Sequence, residues 1–285
     1  MATRKKQRAT KKRAAVKPAP KKRRAALAPA TKPKRKVATR TSSKPTATAA
    51  ATTTTTTTAA VTLSKLPVVW RVETGSQCVG LWVDEEVWAA NDQGAVFNLD
   101  KDGNVLRSLK LPFGSLCVLA DEVWKFAGCK NGKVYDLTGR VPQALYEIEG
   151  GKQLDWLEMY RGTLCVSDHE GGLTVIDADG SVRWQKRDKK ASDGWMVRAD
   201  ASGVWHGSMA GLRKYSWDGT LEWTRTEMSD VRFAWPQGDE MVVLGGWQKA
   251  KKSSVHVVDR DGKPRVSWTM KASSSVWQQI GRAHV

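Results

Sequence analysis

The chain has 285 residues, with Lys+Arg 47 against Asp+Glu 29 and a formal net charge of +18. It contains no run of about 18 apolar residues, which excludes a membrane-spanning helix, and no apolar stretch near the N-terminus of the kind a secretory signal needs. The charge is segregated: residues 1–60 carry 18 Lys/Arg and no acid, leaving 29 basic residues against 29 acidic in the remainder.

Residues 1–45 are dominated by Lys, Arg, Ala, Pro and Thr. Such a segment cannot bury enough apolar surface to offset the entropy of ordering, so a disordered basic arm is expected. Its cations come in clusters: Lys5 and Lys6; Lys11, Lys12 and Arg13; Lys21, Lys22, Arg23 and Arg24; Lys34, Arg35 and Lys36. The spacers of Ala, Pro and Thr keep the arm extended, so these twelve side chains are candidate contacts to a phosphate backbone. The composition is similar to the lysine-alanine-proline tails of linker histones and bacterial histone-like proteins. Contacts of this kind carry no sequence information. The arm also lacks an aromatic residue to stack on bases, which argues against specific single-strand recognition. The competing readings are a solubilising tail or an address. Lys32-Pro33-Lys34-Arg35-Lys36-Val37 resembles a nuclear-import signal, and an acid-free N-terminus also suits a mitochondrial transit peptide. Residues 46–65, rich in Thr and Ala with a run of Thr at 52–58, read as a linker.

From residue 66 the pattern changes. An apolar pair recurs at Val87-Trp88, Val123-Trp124, Leu164-Cys165, Val204-Trp205 and Met241-Val242. A closing turn recurs at Asp102-Gly103, Thr138-Gly139, Asp179-Gly180, Asp218-Gly219 and Asp261-Gly262, with intervals of 36 to 43 residues. A period near 40 built from short β-type runs predicts an all-β chain: a β-propeller of four-stranded blades over residues 66–279. In the first unit the strands are expected at about 77–83, 86–91, 94–99 and 104–109. The middle hairpins turn at glycines Gly94, Gly132, Gly171 or Gly172, and Gly211, where a positive φ costs glycine nothing. Residues 68–72 precede the first unit and look like an outer strand, so they are expected to close the ring. The fifth unit replaces its hairpin glycine by a longer basic loop at 247–254. A sixth inner strand begins at Ser274-Ser275-Val276-Trp277. Residues 280–285, Ile-Gly-Arg-Ala-His-Val, look like a translated sequencing adapter. They are therefore expected to be non-native, and the intact protein to have six or more blades.

The blade-end phrases Asp177-Ala178-Asp179-Gly180-Ser181-Val182-Arg183-Trp184, Trp217-Asp218-Gly219-Thr220-Leu221-Glu222-Trp223 and Asp259-Arg260-Asp261-Gly262 reaching Trp268 carry a family resemblance. They are similar to the repeats of the quinoprotein-like (PQQ-like) β-propeller superfamily, and WD40 propellers use related punctuation. The resemblance implies that the Trp packs between adjacent blades. The first two units lack that Trp. Quinone enzymes of this superfamily are exported and hold calcium and cofactor on the ring axis. With no export signal and no paired acids beside a disulfide, no cofactor is expected.

Other signals are turns or packing. Asn98-x-Asp100-x-Asp102-Gly103 opens like a calcium loop, but Leu109 stands where a bidentate Glu is needed, so turn chemistry explains it. Cys78, Cys117, Cys129 and Cys165 match no zinc spacing and read as reduced core residues. His169, His206 and His256 lie in different units with no common acid or nucleophile, and no nucleophile elbow or phosphate loop appears. Trp82, Trp156, Trp195, Trp235 and Trp277 fall in or near successive inner strands. They are either candidate ligand contacts at a channel mouth or interblade packing. The expectation is a non-enzymatic, monomeric propeller that binds a partner protein. Its arm tethers it non-specifically to nucleic acid in the cytoplasm, at the nucleoid or nucleus, and it is not secreted. The alternative is a ligand-binding or enzymatic PQQ-like propeller whose arm is only an address or a solubility tail.

Overall fold

The computed structural model describes residues 67–187, 193–245 and 252–271. The chain divides into two units, Met1–Leu63 and Ser64–Val285, and every described residue belongs to the second. The basic arm, the linker, the loop at 246–251, Trp277 and the tail at 280–285 lie outside the described residues.

The described residues are all-β. The first sheet holds β1 (Cys78–Val83), β2 (Val87–Asn91), β3 (Ala95–Leu99) and β4 (Val105–Lys110). The second holds β5 (Ser115–Ala120), β6 (Lys125–Cys129), β7 (Lys133–Asp136) and β8 (Gln143–Glu147). The third holds β9 (Leu154–Tyr160), β10 (Thr163–Asp168), β11 (Gly172–Ile176) and β12 (Val182–Arg187). The fourth holds β13 (Met196–Asp200), β14 (Gly203–Ser208), β15 (Gly211–Tyr215) and β16 (Leu221–Arg225). The fifth holds β17 (Phe233–Gln237), β18 (Glu240–Gly245), β19 (Lys252–Val258) and β20 (Pro264–Lys271). Each is an antiparallel meander with strands in chain order, and the inner strands β1, β5, β9, β13 and β17 neighbour one another in sequence. This is a β-propeller architecture with five complete blades. The first unit's strands lie within a residue or so of their sequence-derived bounds.

The middle strands β2, β10, β11, β14 and β15 are buried throughout, whereas the outer strands β4 and β8 are mostly exposed and β12 and β16 are exposed or half-buried. The reason is sheet-on-sheet packing: both faces of a middle strand meet a neighbouring blade. Thus Trp88 and Val96 of the first blade share a core with Val118 and Tyr135 of the second. Trp205 and Leu212 of the fourth share one with Ala234 and Val243 of the fifth.

Between blades runs a second, directional contact. Trp184 of the third blade donates its indole N–H to the Trp217 carbonyl, 3.0 Å away, in the closing turn of the fourth. Trp223 does the same to Arg260 in the fifth, at 3.1 Å. Each ring lies over the turn's glycine: a Cβ on Gly219 would come 2.9 Å from Trp184 Cγ, and one on Gly262 2.7 Å from the Trp223 ring. Gly219 (φ 83) and Gly262 (φ 72) also need the left-handed conformation. The first two blades lack the Trp but keep the latch. Arg107 donates to the carbonyls of Thr138 (3.3 Å) and Gly139, and the Tyr146 ring lies over Gly180.

Residues 68–72 depart from the expectation. They form no strand, and Val68 and Val69 are exposed. Among the described residues every third strand already has its own outer strand, so this segment has no backbone ladder to join. Trp70 nevertheless makes the outer-strand contact. Its indole donates to the Lys101 carbonyl at 2.9 Å, and its ring covers Gly103.

Gly219→Ala should therefore cost about 1–3 kcal/mol, combining backbone strain with collision against Trp184. Gly238→Ala serves as the control: φ is +60 there but nothing lies within 4 Å of the new Cβ, so only the strain is felt. Urea unfolding of the two variants checks the difference, and equal losses would remove the latch from the account.

Candidate functional site at the inner-strand mouth

The C-terminal ends of β5, β9, β13 and β17 and the turns beyond them enclose a cavity of about 680 Å³. That size is ordinary for a ligand pocket. Its floor is a buried cation. Arg198 on β13 pairs through Nη1 with Glu158 Oε2 on β9 at 2.8 Å and donates through Nε to the Ala234 carbonyl on β17 at 2.9 Å. Its guanidinium lies 5.0 Å from the Trp156 ring, 5.4 Å from Phe233 and 5.5 Å from Trp235. Three inner strands are thus joined through one side chain. The carboxylate and the aromatic faces offset the cost of burying its charge.

The walls mix polar with apolar and aromatic surface, with Trp124, Tyr160, Trp235 and Pro236 among the latter. Asp121 reaches the wall from the turn after β5, where its Oδ1 accepts the backbone N–H groups of Val123 (2.9 Å) and Trp124 (2.6 Å). Arg161 stands at the rim in the β9–β10 turn, its guanidinium 5.3 Å from the Tyr160 ring. The Tyr160 ring stacks on Trp217 at 5.4 Å.

The opposite ends of the inner strands are tied together by charge. His169, in the β10–β11 turn, meets Asp155 Oδ2 through Nδ1 and Asp193 Oδ1 through Nε2, both at 3.0 Å. The bond to Asp155 holds the imidazole above its ordinary pKa, and Asp193 and Glu170 add to it against partial desolvation. Both ring nitrogens donate only in the imidazolium, so the bridge from the third blade to the segment leading into β13 is complete only when the ring is charged. Burial raises the Asp155 carboxyl, opposed by hydrogen bonds from His169 and Gln153. Trp195 sits edge-on to His169 at 5.7 Å, with the Arg232 guanidinium 4.2 Å from its centroid.

The sequence-derived aromatic candidates are therefore divided. Trp156 and Trp235 meet around Arg198, and of the four described candidates only Trp235 lines the cavity. Trp82 packs among the cores of the first two blades, paired across strands with Trp88. Trp195 lies at the other end of β13. The twelve basic candidates, Lys5 to Lys36, lie outside the described residues. Sequence reasoning missed Arg198, Glu158 and Arg161 altogether. The histidines share no common acid or nucleophile among the described residues, and each has partners of its own: His169 has two carboxylates, and His206 Nε2 lies 2.9 Å from Ser167 Oγ. The only local hint was an acid and a base each flanked by apolar residues in an inner strand.

None of these groups is set up as a nucleophile. Ser167 is wholly buried and donates to the Gly194 carbonyl at 2.6 Å. Burial, with Arg213 nearby, brings the His206 pKa down to about 3, so the ring is neutral and shielded. Burial pushes the Cys129 thiol up to about 12 and raises Cys117 and Cys165 as well, which suppresses their thiolates. Cys78 is exposed at the start of β1, unlike the core position expected for it; the first residues of β5, β9, β13 and β17 are buried, and the first blade is the one with no described blade before it. Asp100 accepts the N–H groups of Asp102 (2.9 Å) and Asn104 (2.8 Å), which is the work of a turn residue. Among the described residues no group of three or more His, Cys, Asp or Glu is disposed to hold a metal ion.

Two outcomes are expected. Because folding raises the His169 pKa, its bridge contributes stability that is complete below about pH 6.5 and is lost as pH rises through the folded-state value. Urea midpoints taken from about pH 6 to 9 should fall with rising pH, and His169→Gln should flatten the profile. Arg198→Met strips Glu158 of its guanidinium in a buried setting and should cost about 3–5 kcal/mol. Adding Glu158→Gln should recover part of that loss, as a double-mutant cycle of unfolding free energies will read.

No family model matches the chain, and no curated protein matches it in sequence. Several solved structures resemble it in fold. The WD40 β-propeller domain of Doa1 is similar with a TM-score of 0.57 and 13% identity, over 67% of this chain and 68% of that one. The computationally designed Ika8 protein gives 0.54 and 15% identity over 70% of this chain, which spans 63% of the Ika8 chain. BamB from Moraxella catarrhalis gives 0.51 and 13% identity, over 71% of this chain and 77% of that one. At these identities the likeness concerns architecture alone: the described residues fold as a β-propeller.

Proposed function

We propose that this protein is a non-catalytic propeller interaction module tethered to nucleic acid by its N-terminal arm. The observation that carries the proposal is the partition of charge: 18 Lys/Arg and no acid in residues 1–60, against 29 of each sign in the rest. A neutral body neither repels nor attracts a polyanion strongly, so affinity for one resides in the arm. Phosphate neutralisation releases counterions and needs no fixed structure in the arm. The propeller then presents a partner site, and the linker raises the partner's local concentration along the nucleic acid without any new contact. The absence of an assembled nucleophile or metal cluster among the described residues favours binding over catalysis. On this reading the protein is a nucleoid- or nucleus-associated monomer.

The mouth cavity favours a second reading in which a small ligand is the propeller's business and the arm is an address. The two differ in what the arm does. Random-sequence duplex DNA should bind the full chain with a log–log salt slope of roughly −0.9 per phosphate neutralised. A full-length variant with the twelve clustered Lys and Arg changed to Gln should lose most of that affinity and most of the slope. Equal binding by the two chains across salt would remove the tether.

A further inference from the structure

Arg161 stands in a costly conformation. Tyr160 pairs with Thr163, so Arg161 and Gly162 form a two-residue hairpin turn, with φ of 48 and 79 respectively. Such a turn asks for positive φ at both positions, and Asn or Gly at the first. A long side chain with a Cβ is disfavoured there. Strain of this sort persists where the side chain is needed.

The charges around the cavity say what the arginine is needed for. Glu158 and Arg198 neutralise each other in the floor at 2.8 Å. The Asp121 carboxylate is engaged by two backbone N–H groups. Arg161 has no carboxylate within ion-pair reach among the described residues and is exposed, with its guanidinium against the Tyr160 ring. The mouth therefore balances two carboxylates against two guanidinium groups, of which that of Arg161 is exposed and outside any ion pair among the described residues, beside Trp124, Trp235 and Pro236.

We propose that this cavity binds an apolar or aromatic group that bears a carboxylate. The guanidinium of Arg161 donates to the carboxylate, and the apolar body lies against Trp124 and Trp235. A single carboxylate matches the one exposed guanidinium. A phosphate-bearing ligand such as a nucleotide would bring two or more negative charges against Asp121 and Glu158 as well, so the carboxylate is favoured. The same chemistry can come from a free aromatic acid or from the C-terminus of a peptide. The proposal rests on the propeller acting as an interaction module, but not on the arm.

The test uses the full chain and ligand-observed NMR with N-acetyl-phenylalanine, its neutral amide, a pentapeptide ending in Phe with a free C-terminus, and AMP. Saturable binding of the acid, at least about tenfold tighter than its amide, is the expected result. Tighter binding of the pentapeptide than of the single residue identifies a peptide as the source, and the reverse identifies a free acid. Arg161→Asn should weaken the acid at least about tenfold, to the level of the amide. The same variant should raise the urea midpoint, because Asn suits the turn. A purely structural arginine would do the opposite. Equal binding of acid and amide, preference for AMP, no saturable binding, or an Arg161→Asn chain that binds the acid unchanged or unfolds more easily would each overturn the proposal. The chain with its twelve arm cations changed to Gln should bind the acid as before, so this proposal and the DNA tether fail independently.

Discussion

The third and fourth blades depend on their neighbours because their middle strands are buried on both faces. Leu164, Val166 and Ile176 face the second blade, while Cys165 and Val175 face the fourth. A single four-stranded sheet with two apolar faces has nowhere to put either of them in water, so the blades must stack. The interblade latches then give that stacking a sense. The outer strand of one blade reaches forward to the closing turn of the next, and a glycine leaves room for the ring. Arg107 and Tyr146 show that the latch is a matter of position and reach rather than of tryptophan alone. A guanidinium can meet the same turn carbonyls, and a phenol ring can cover the same glycine.

The polar groups that this stacking buries are spent on holding blades, and strands within a blade, together. Asp168, fully buried, is gripped by Arg187 through both oxygens at 2.9 and 2.8 Å. Ser167 and His206 join the third and fourth blades, and Arg198 joins three inner strands. Each such group would be expensive to leave without a partner; Asp168 and Arg187 pair within the third blade, whereas Ser167, His206 and Arg198 are matched across interblade boundaries. The same pairing that makes them good struts makes them poor reagents, since their protons and lone pairs are already committed.

The two ends of the inner strands have accordingly different characters. At one end His169 lies between two carboxylates and Trp195 lies against Arg232, so side chains meet one another. At the other end the strands stop at a cavity whose aromatic rings and one exposed guanidinium meet solvent. A rigid platform with one tied end and one receptive end suits recognition, where preorganised walls spare a ligand the cost of ordering its receptor.

The local pattern of this chain was enough to place its strands and turns. Val87-Trp88 and Val204-Trp205 are short β-branched and aromatic runs, and Gly94, Gly132 and Gly219 mark reversals that need positive φ. Such signals are read within a few residues, which is why the four strands of the first unit fall where the sequence places them. What the residues do once folded depended on how one blade faces the next, and no local rule encodes that. Trp235 and Trp195 look alike in the sequence, yet one lines the cavity and the other meets Arg232 at the opposite end of its blade's inner strand. Asp155, His169 and Asp193 are separated by 14 and 24 positions and belong to two blades, so only the stacking brings them together. Arg198 and Glu158 read as ordinary polar positions of half-exposed strands. The closure of strand upon strand around an axis turned them into the floor of a pocket.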